Sequence, residues 1–472
     1  MTALLLAAGA LLRLLGLGTR SLWFDEAATL VVARAPLRDI PGLAARDQVG
    51  SPLYYVLMHG WMRAFSDPRL GLRFFSAACA IAALFAFRGL CGRLLPPRAR
   101  AFALFLAVFS SYWIHAAQDG RVYALLLLVC LWSTRAAWDL SERPSGRRWT
   151  AYAALAALGL YVHYYYAILL LAHAGWLFWR WRAAPWRLAE CAAAHAAAAL
   201  AFAPCLGFLA FQVRRIQPAI IGDPLGPRRV CDLLGTQFFD VSFLGLILPS
   251  WIGVALGAAV LVMAAAVAAG GLRASPDSPD RRARFFTLFH LALPLLVIAA
   301  VERALGRPVT QARYLTPLAV FPPLLAARAL CRDGGWARAG RMALALAVVA
   351  GTAGYFASGF LIDPHFDRLA AMLRRTDRRL PFVYVETYYY LPMRAYYLPE
   401  RPHFLIARAV EGMDYAGLPP YDGVLDDARL RRLGACVVMD EKRLLGGPPS
   451  WLGTGAEVAR RLAGTPAPAG PK

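Results

Sequence analysis

The chain has 472 residues, 59% of them hydrophobic and only 17% charged, with a formal net charge of +22. At a mean hydropathy of +0.48 a soluble fold has nowhere to hide so much apolar surface, so most of it faces lipid. The excess charge and a pI near 10.2 do not mark a nucleic-acid binder. The basic residues stand in short clusters between apolar runs, with no basic helix and no aromatic–basic platform.

Residues 2–17 form an apolar run interrupted by Arg13, without a basic leader or a cleavage site, and read as a retained helix. Directly after it comes Arg20-Ser-Leu-Trp-Phe-Asp-Glu-Ala-Ala-Thr29, with Asp25 and Glu26 at a membrane–water boundary. Two readings stand. Acids at that depth are costly and are by default functional. Alternatively Asp25 N-caps a helix beginning at Glu26, with Trp23 as an interfacial anchor. The remainder of 18–70 is broken by Pro36, Pro41 and Pro52 and suits an extracytoplasmic loop with interfacial helices, one of them over Leu53–Trp61.

Further apolar segments follow near 71–90, 101–117, 121–139, 150–167, 168–181, 187–209, 242–270, 285–301, 313–331 and 341–360. With the first helix they make about eleven spans of an all-α polytopic membrane domain, residues 1–360. Every second connector carries arginines: Arg93, Arg98 and Arg100; Arg143, Arg147 and Arg148; Arg180, Arg182 and Arg187; Arg273, Arg281, Arg282 and Arg284; Arg332, Arg338 and Arg341. Positive-inside makes these cytoplasmic and turns the Asp25 loop, 118–121, 210–241 and 302–312 outward. Residues 361–463 are polar and Pro-rich, with a helical stretch Phe366–Arg375 and strand-like runs at Pro381–Glu386 and Ala435–Met439. They read as a small extracytoplasmic α/β domain, followed by a disordered tail over 464–472. The eight cysteines show no ligand spacing and no disulfide framework, although Cys231 and Cys436 fall outside the expected helices.

Several polar residues gather at the outer ends of the spans. Gln118, Arg121 and Tyr123 enter the fourth, the first two being three apart and hence on one helix face. His163 with Tyr164, Tyr165 and Tyr166 closes the fifth, and Arg313-Tyr314 opens the tenth. Tyrosines there also build aromatic belts, and arginines snorkel. The sum of an acid pair, two arginines, a glutamine and tyrosines on one leaflet side suits a phosphate-linked lipid substrate, since Arg grips phosphate with paired donors and a carboxylate takes a hydroxyl proton.

In these stretches the sequence resembles the polyprenyl-phosphate-sugar-dependent membrane glycosyltransferases (glycosyltransferase family 39, GT-C fold), which include protein O-mannosyltransferases and lipid A aminoarabinose transferases. The likeness runs in order through Leu22-Trp-Phe-Asp-Glu-Ala27, Ser51-Pro-Leu-Tyr-Tyr-Val-Leu-Met-His59, Leu72-Arg-Phe-Phe-Ser-Ala77, Gln118-Asp-Gly-Arg-Val-Tyr-Ala-Leu125, Val162-His-Tyr-Tyr165 and Arg313-Tyr-Leu-Thr-Pro317. It departs at Gly50-Ser51, where the family usually has a histidine before Pro-Leu-Tyr-Tyr, and at Gln118-Asp-Gly-Arg121, where it has Gln-Glu-Ala-Arg.

The resemblance implies an inverting glycosyltransferase of the cytoplasmic membrane, its site facing the exterior. It would move a hexosyl or pentosyl group, as a mannosyltransferase does, from a polyprenyl-phosphate donor to a lipid, glycan or protein acceptor. Asp25 is then the general base, and Glu26 is the second catalytic residue, positioning the acceptor or sharing the base's role. Arg121, Arg313, Gln118, Tyr123, Tyr314, His163, Tyr54 and Tyr55 bind substrate. No metal or other cofactor is expected, because a leaving phosphate needs little help. A lipid-linked sugar flippase is the alternative, opposed by charges at one leaflet rather than at the midplane. The other is a non-catalytic member, opposed by the presence of Asp25 and Arg121.

Overall fold

The structure is a computed structural model and describes residues 1–46, 51–215, 225–238, 251–275, 277–359, 366–377, 379–385, 387–406, 424–440 and 450–463. The tail expected from Gly464, Gly50 of the motif comparison, the centre of the 210–241 connector and the start of the 242–270 segment lie outside them. The chain forms two compact units. The first comprises Met1–Leu17, Arg73–Gly207 and Ile220–Ile362; the second comprises Gly18–Leu72, Phe208–Ala219 and Asp363–Lys472.

The first unit is a helical membrane domain. Six helices are long and apolar enough to cross a bilayer alone: Pro68–Leu94, Tyr123–Glu142, Pro185–Gln212, Trp251–Leu272, Pro279–Leu305 and Gly335–Ala357. The pair Pro97–Val108 and Ser111–Gln118, bent by 50°, makes a seventh. The other expected spans appear as shorter helices, Thr2–Leu14, Gly146–Val162, Tyr166–Trp181 and Phe321–Leu330, the last entered through a 3-10 turn over Ala312–Leu318. The chain is a multi-pass membrane protein. Cys231, expected outside the helices, lies within Pro227–Thr236, and all eight thiols are free.

Arg13, the charge in the first apolar run, is fully buried and explains the bent span. Its guanidinium donates to the carbonyls of Ala107 at 3.1 Å, Val108 at 3.3 Å and Gly9 at 3.0 Å. The first two are orphaned carbonyls at a helix C-terminus, which has no water to turn to inside a bilayer. Thr352 takes the next, that of Phe109, at 2.5 Å. On the far side of the bend Ser110 caps the new helix, its hydroxyl accepting from Trp113 N. Gln118 closes the same network. Its amide nitrogen donates to Leu12 O at 3.1 Å and Leu15 O at 2.7 Å, and its oxygen accepts from Tyr355.

At the arginine-rich ends the acids are paired with the clusters. Glu142 receives two bonds from Arg282, each 2.9 Å, and Asp139 faces Arg93 at 3.0 Å. Elsewhere glycine sets the packing: Gly253 and Gly257 of Trp251–Leu272 lie against Gly235 and Cys231 of Pro227–Thr236, backbone upon backbone.

The second unit contains a five-stranded sheet: β1 Phe382–Tyr384, β2 His403–Ile406, β3 Val424–Leu425, β4 Ala435–Met439 and β5 Ser450–Thr454, in the order β3-β2-β1-β4-β5. The β1–β2, β1–β4 and β2–β3 pairs are parallel, and β5 joins β4 antiparallel at the edge. Val383, Val385, Ile406, Val438 and Leu430 build its core with Val458 of the last helix. The expected helix is present over Phe366–Leu373, as are the two expected strands. Helices Phe24–Arg34, Ile40–Ala44 and Pro52–Trp61 belong to this unit as well.

Candidate functional site

The residues singled out by sequence fall in both units. Asp25, Glu26, Tyr54 and Tyr55 belong to the second; Gln118, Arg121, Tyr123, His163, Arg313 and Tyr314 belong to the first.

In the first unit the cluster forms where three helices end. After Gln118 the chain leaves the helix, with Asp119 extended at φ −99° and ψ 126°, and Arg121 sits in the loop before the helix opening at Tyr123. The expected shared helix face of Gln118 and Arg121 is therefore absent. Gln118 spends its amide on the ends of neighbouring helices, whereas Arg121 remains buried in the loop, its carbonyl accepting from Ser76 Oγ at 3.3 Å.

His163 stops the helix Gly146–Val162 in extended backbone and is itself fully buried. The N–H of Tyr165 donates to its Nδ1 at 3.2 Å, which fixes the proton of the neutral ring on Nε2. That Nε2 has no hydrogen-bond partner among the described residues. The ring lies 6.0 Å from that of Tyr123, 5.7 Å from Tyr165 and 5.9 Å from Tyr314, centroid to centroid. Arg121 and Arg313 are its charged neighbours. A buried donor without a partner among the described residues, near two arginine charges and walled by tyrosines, is the chemistry of an anion seat.

Arg313 is held over the Tyr314 ring at 5.6 Å, with Nε donating to Gln311 Oε1 at 2.8 Å. Its carbonyl accepts from Thr316 Oγ1 at 2.7 Å, and Tyr112 OH meets Thr316 Oγ1 at 2.8 Å. Two further residues shape this segment, of which sequence reasoning missed Glu302. Tyr165 donates to Val309 O, and Glu302 accepts from Val309 N at 2.9 Å and Leu225 N at 2.7 Å. Glu302 was legible as an acid near an apolar run, and Tyr165 as part of the His163 motif, but nothing in the sequence marks Val309 as their shared partner.

In the second unit Asp25 and Glu26 open the helix Phe24–Arg34, both buried, at 6% and 1% exposure. Trp23, extended at φ −95°, is the N-cap, so the capping alternative for Asp25 fails: Asp25 is the second helical residue. Glu26 performs the reciprocal part, its Oε2 accepting from Trp23 N at 3.4 Å. The strand of chain before this helix is fixed within the unit. Tyr397 OH accepts from Leu22 N at 2.6 Å, Ser21 donates to Asp367 at 3.2 Å, and Arg69 binds the same carboxylate at 3.1 Å. Tyr54 and Tyr55, buried with rings 5.6 Å apart edge to face, lie on Pro52–Trp61. That helix is tied to Phe24–Arg34 through His59 Nδ1, which donates to Ala33 O at 2.9 Å. Among the described residues no group of three His, Cys, Asp or Glu side chains gathers for a metal.

A broken-helix membrane domain joined in one chain to a small α/β sheet defines a class, and the chain has the GT-C fold. The particular likenesses are to solved structures of that fold. ArnT from Cupriavidus metallidurans in the apo state aligns over 97% of this chain and 98% of its own, with a TM-score of 0.60 at 13% identity. The same protein bound to undecaprenyl phosphate aligns over 94% of this chain and 93% of its own, with a TM-score of 0.58 at 14% identity. The Archaeoglobus fulgidus oligosaccharyltransferase in complex with Zn and sulfate aligns over 85% of this chain and 62% of its own, with a TM-score of 0.51 at 14% identity. No family model and no curated protein matches the sequence.

Proposed function

We propose that the protein is an inverting glycosyltransferase that moves a monosaccharide from a polyprenyl-phosphate donor to an acceptor hydroxyl. The observation that carries the reading is the buried His163 Nε2–H with the charges of Arg121 and Arg313 near it in the first unit. A buried N–H beside two arginine charges suits a phosphate that gains charge as it departs, the electrostatic contribution that usually dominates catalysis. Further support comes from the fold, shared with an ArnT structure that holds undecaprenyl phosphate.

Asp25 is assigned the base. It takes the hydroxyl proton as the acceptor oxygen bonds to the anomeric carbon from the face opposite the phosphate. The bond from that carbon to the phosphate oxygen breaks, and its electron pair leaves with the lipid phosphate. One displacement inverts the anomeric configuration without a covalent intermediate. Glu26, Tyr54 and Tyr55 are assigned to the acceptor side, Tyr123 and Tyr314 to the walls of the phosphate seat, and Gln118 to holding the loop that carries Arg121. No metal has an assigned role, since the two guanidiniums take the leaving charge. The arginine-rich connectors support a site on the outer face of the cytoplasmic membrane, with a lipid, glycan or protein as acceptor. A hexose or pentose, mannose included, is the transferred group.

The test is turnover with purified polyprenyl-phosphate sugars. Arg121→Lys and Arg313→Lys keep the charge but lose the planar fork, and each is expected to lower the rate about ten- to a hundredfold. That is the effect of one charge-assisted hydrogen bond, roughly 1.5–3 kcal/mol. Wild-type rates in both variants, at wild-type folded yield, overturn the reading, because anchors that merely snorkel tolerate lysine.

A further inference from the structure

The opposite end of the bent span carries a second basic site that glycosyl transfer does not use. Pro97 and Gln118 are separated by about 30 Å of helix axis, so Arg98 lies at the far end of the first unit from the loop of Arg121. There a cleft of about 530 Å³ is lined by Arg98, Arg332, Arg341 and Asp333 together with Leu5, Phe102 and Phe105, Arg98 sharing one helix face with the two phenylalanines.

Its guanidiniums are positioned and crowded. Arg341 donates to the carbonyls of Leu330 at 2.6 Å and Arg332 at 3.2 Å, and Arg332 donates to Ala266 O at 3.3 Å. Around Arg332 stand Arg284, Arg273 and Arg98 against the single carboxylate of Asp280, which is already bonded to Arg284 and Arg328. Asp333 reaches Arg98 only as an exposed pair at 3.4 Å, worth little in solvent. The cleft therefore holds a positive excess that its own acids leave uncompensated.

The apolar wall gives the missing anion its character. Phe102 and Phe105 lie parallel, 6.3 Å apart, and line the cleft beside the arginines. The helices that flank it, Thr2–Leu14 and Gly335–Gly359, turn Leu4, Met342 and Leu346 outward at 74%, 61% and 69% exposure. Trp336, 94% exposed at the start of the latter, is an interfacial anchor. Lipid-facing flanks, an interface tryptophan and a basic pocket between helices are the marks of a phospholipid seat. We propose that this cleft binds the headgroup of an anionic phospholipid, its phosphate on Arg98, Arg332 and Arg341 and its first methylenes on Leu5, Phe102 and Phe105.

The test uses the full chain extracted from bilayers of phosphatidylethanolamine mixed with phosphatidylglycerol, with retained lipid counted by native mass spectrometry. Wild-type protein is expected to keep phosphatidylglycerol in preference. Arg98→Gln should reduce that preference roughly fivefold, the share of one interfacial arginine. Arg98 is 60% exposed and, among the described residues, its ion pair is that surface contact with Asp333, so the variant folds. Arg147→Gln, an exposed arginine of another connector, should leave the preference intact. Added inorganic phosphate should not displace the lipid, because it lacks the methylenes. Equal retention of the two lipids by wild type, equal loss in both variants, or displacement by phosphate overturns the assignment.

Discussion

Replacing Asp25 by Asn separates chemistry from architecture because of where Asp25 sits. As the second residue of Phe24–Arg34 it is not the cap; that position is Trp23, and the reciprocal bond comes from Glu26. Asn therefore keeps the side-chain shape and removes a favourable charge from a helix N-terminus, about 0.3–1 kcal/mol at an exposed site and up to about 2 kcal/mol where partly buried. A general base contributes about 10²–10⁴ in rate, close to 3–5 kcal/mol at the transition state, and an amide cannot take the proton at neutral pH. The expected outcome is a thermal midpoint within a few degrees of wild type and a single-turnover rate at least about a hundredfold lower. Donor affinity should stay unchanged, because the proposed mechanism gives the phosphate to the arginines. Glu26→Gln is the counterpart: glutamine serves a capping box as well as glutamate does, so both stability and folded yield should hold. Turnover of Asp25→Asn within a few-fold of wild type, with midpoint intact, would remove the carboxylate from the reaction.

Gly257→Ala should cost the first unit at least about 2 kcal/mol, read as folded yield and thermal midpoint, because the new Cβ would come 1.7 Å from the backbone oxygen of Cys231 and backbone cannot step aside as a side chain does; an unchanged midpoint refutes the close packing. Stability of the sheet unit should fall as pH drops. Burial lowers His403 from its ordinary 6.5 to about 4, with Nδ1 accepting from Tyr384 and Nε2 donating to Leu398 O, so below pH 6.5 the unfolded chain binds a proton that the folded one refuses. The loss should accumulate to about 3 kcal/mol between pH 6.5 and 4 and then level. Calorimetry on the full chain across that window checks it, and His403→Gln should flatten the slope.

Much of the membrane domain was legible because apolar runs and arginine connectors alternate, and each run became a helix or a pair. The bend after Val108 was not, since 101–117 is evenly apolar and the partner that makes a break tolerable, Arg13, is some ninety residues away in the chain. Of the strands, β1 and β4 stood out as β-branched and aromatic runs. β2 begins just after Pro402, β3 has two residues, and β5 is an edge containing Gly453, so local pattern carried little signal for any of them. At the candidate site the residue types were readable but the contacts were not. Spacing put Gln118 beside Arg121 on a helix that ends at Gln118, and nothing in Val162-His-Tyr-Tyr165 discloses that Tyr165 N–H orients the imidazole.

Both arginines of the proposed seat lie off the α-helices, Arg121 in a loop and Arg313 on a 3-10 turn, and such backbone at membrane depth survives only where it is buried in protein or lines a cavity. The irregular segments are nevertheless braced. Arg121 follows a helix end locked by Gln118 to Leu12, Leu15 and Tyr355, and its own carbonyl takes the Ser76 hydroxyl. Arg313 rides a 3-10 turn fixed by Gln311, Thr316 and Tyr112, downstream of Val309, which Glu302 and Tyr165 both bind. The buried polar groups of this unit thus fall into two kinds. Arg13, Gln118 and Thr352 spend their hydrogen bonds on carbonyls that helix ends set free. His163 Nε2, by contrast, has no hydrogen-bond partner among the described residues. An anion that enters such a seat meets dipoles already in place, and the reorganisation that water would require has been met in folding.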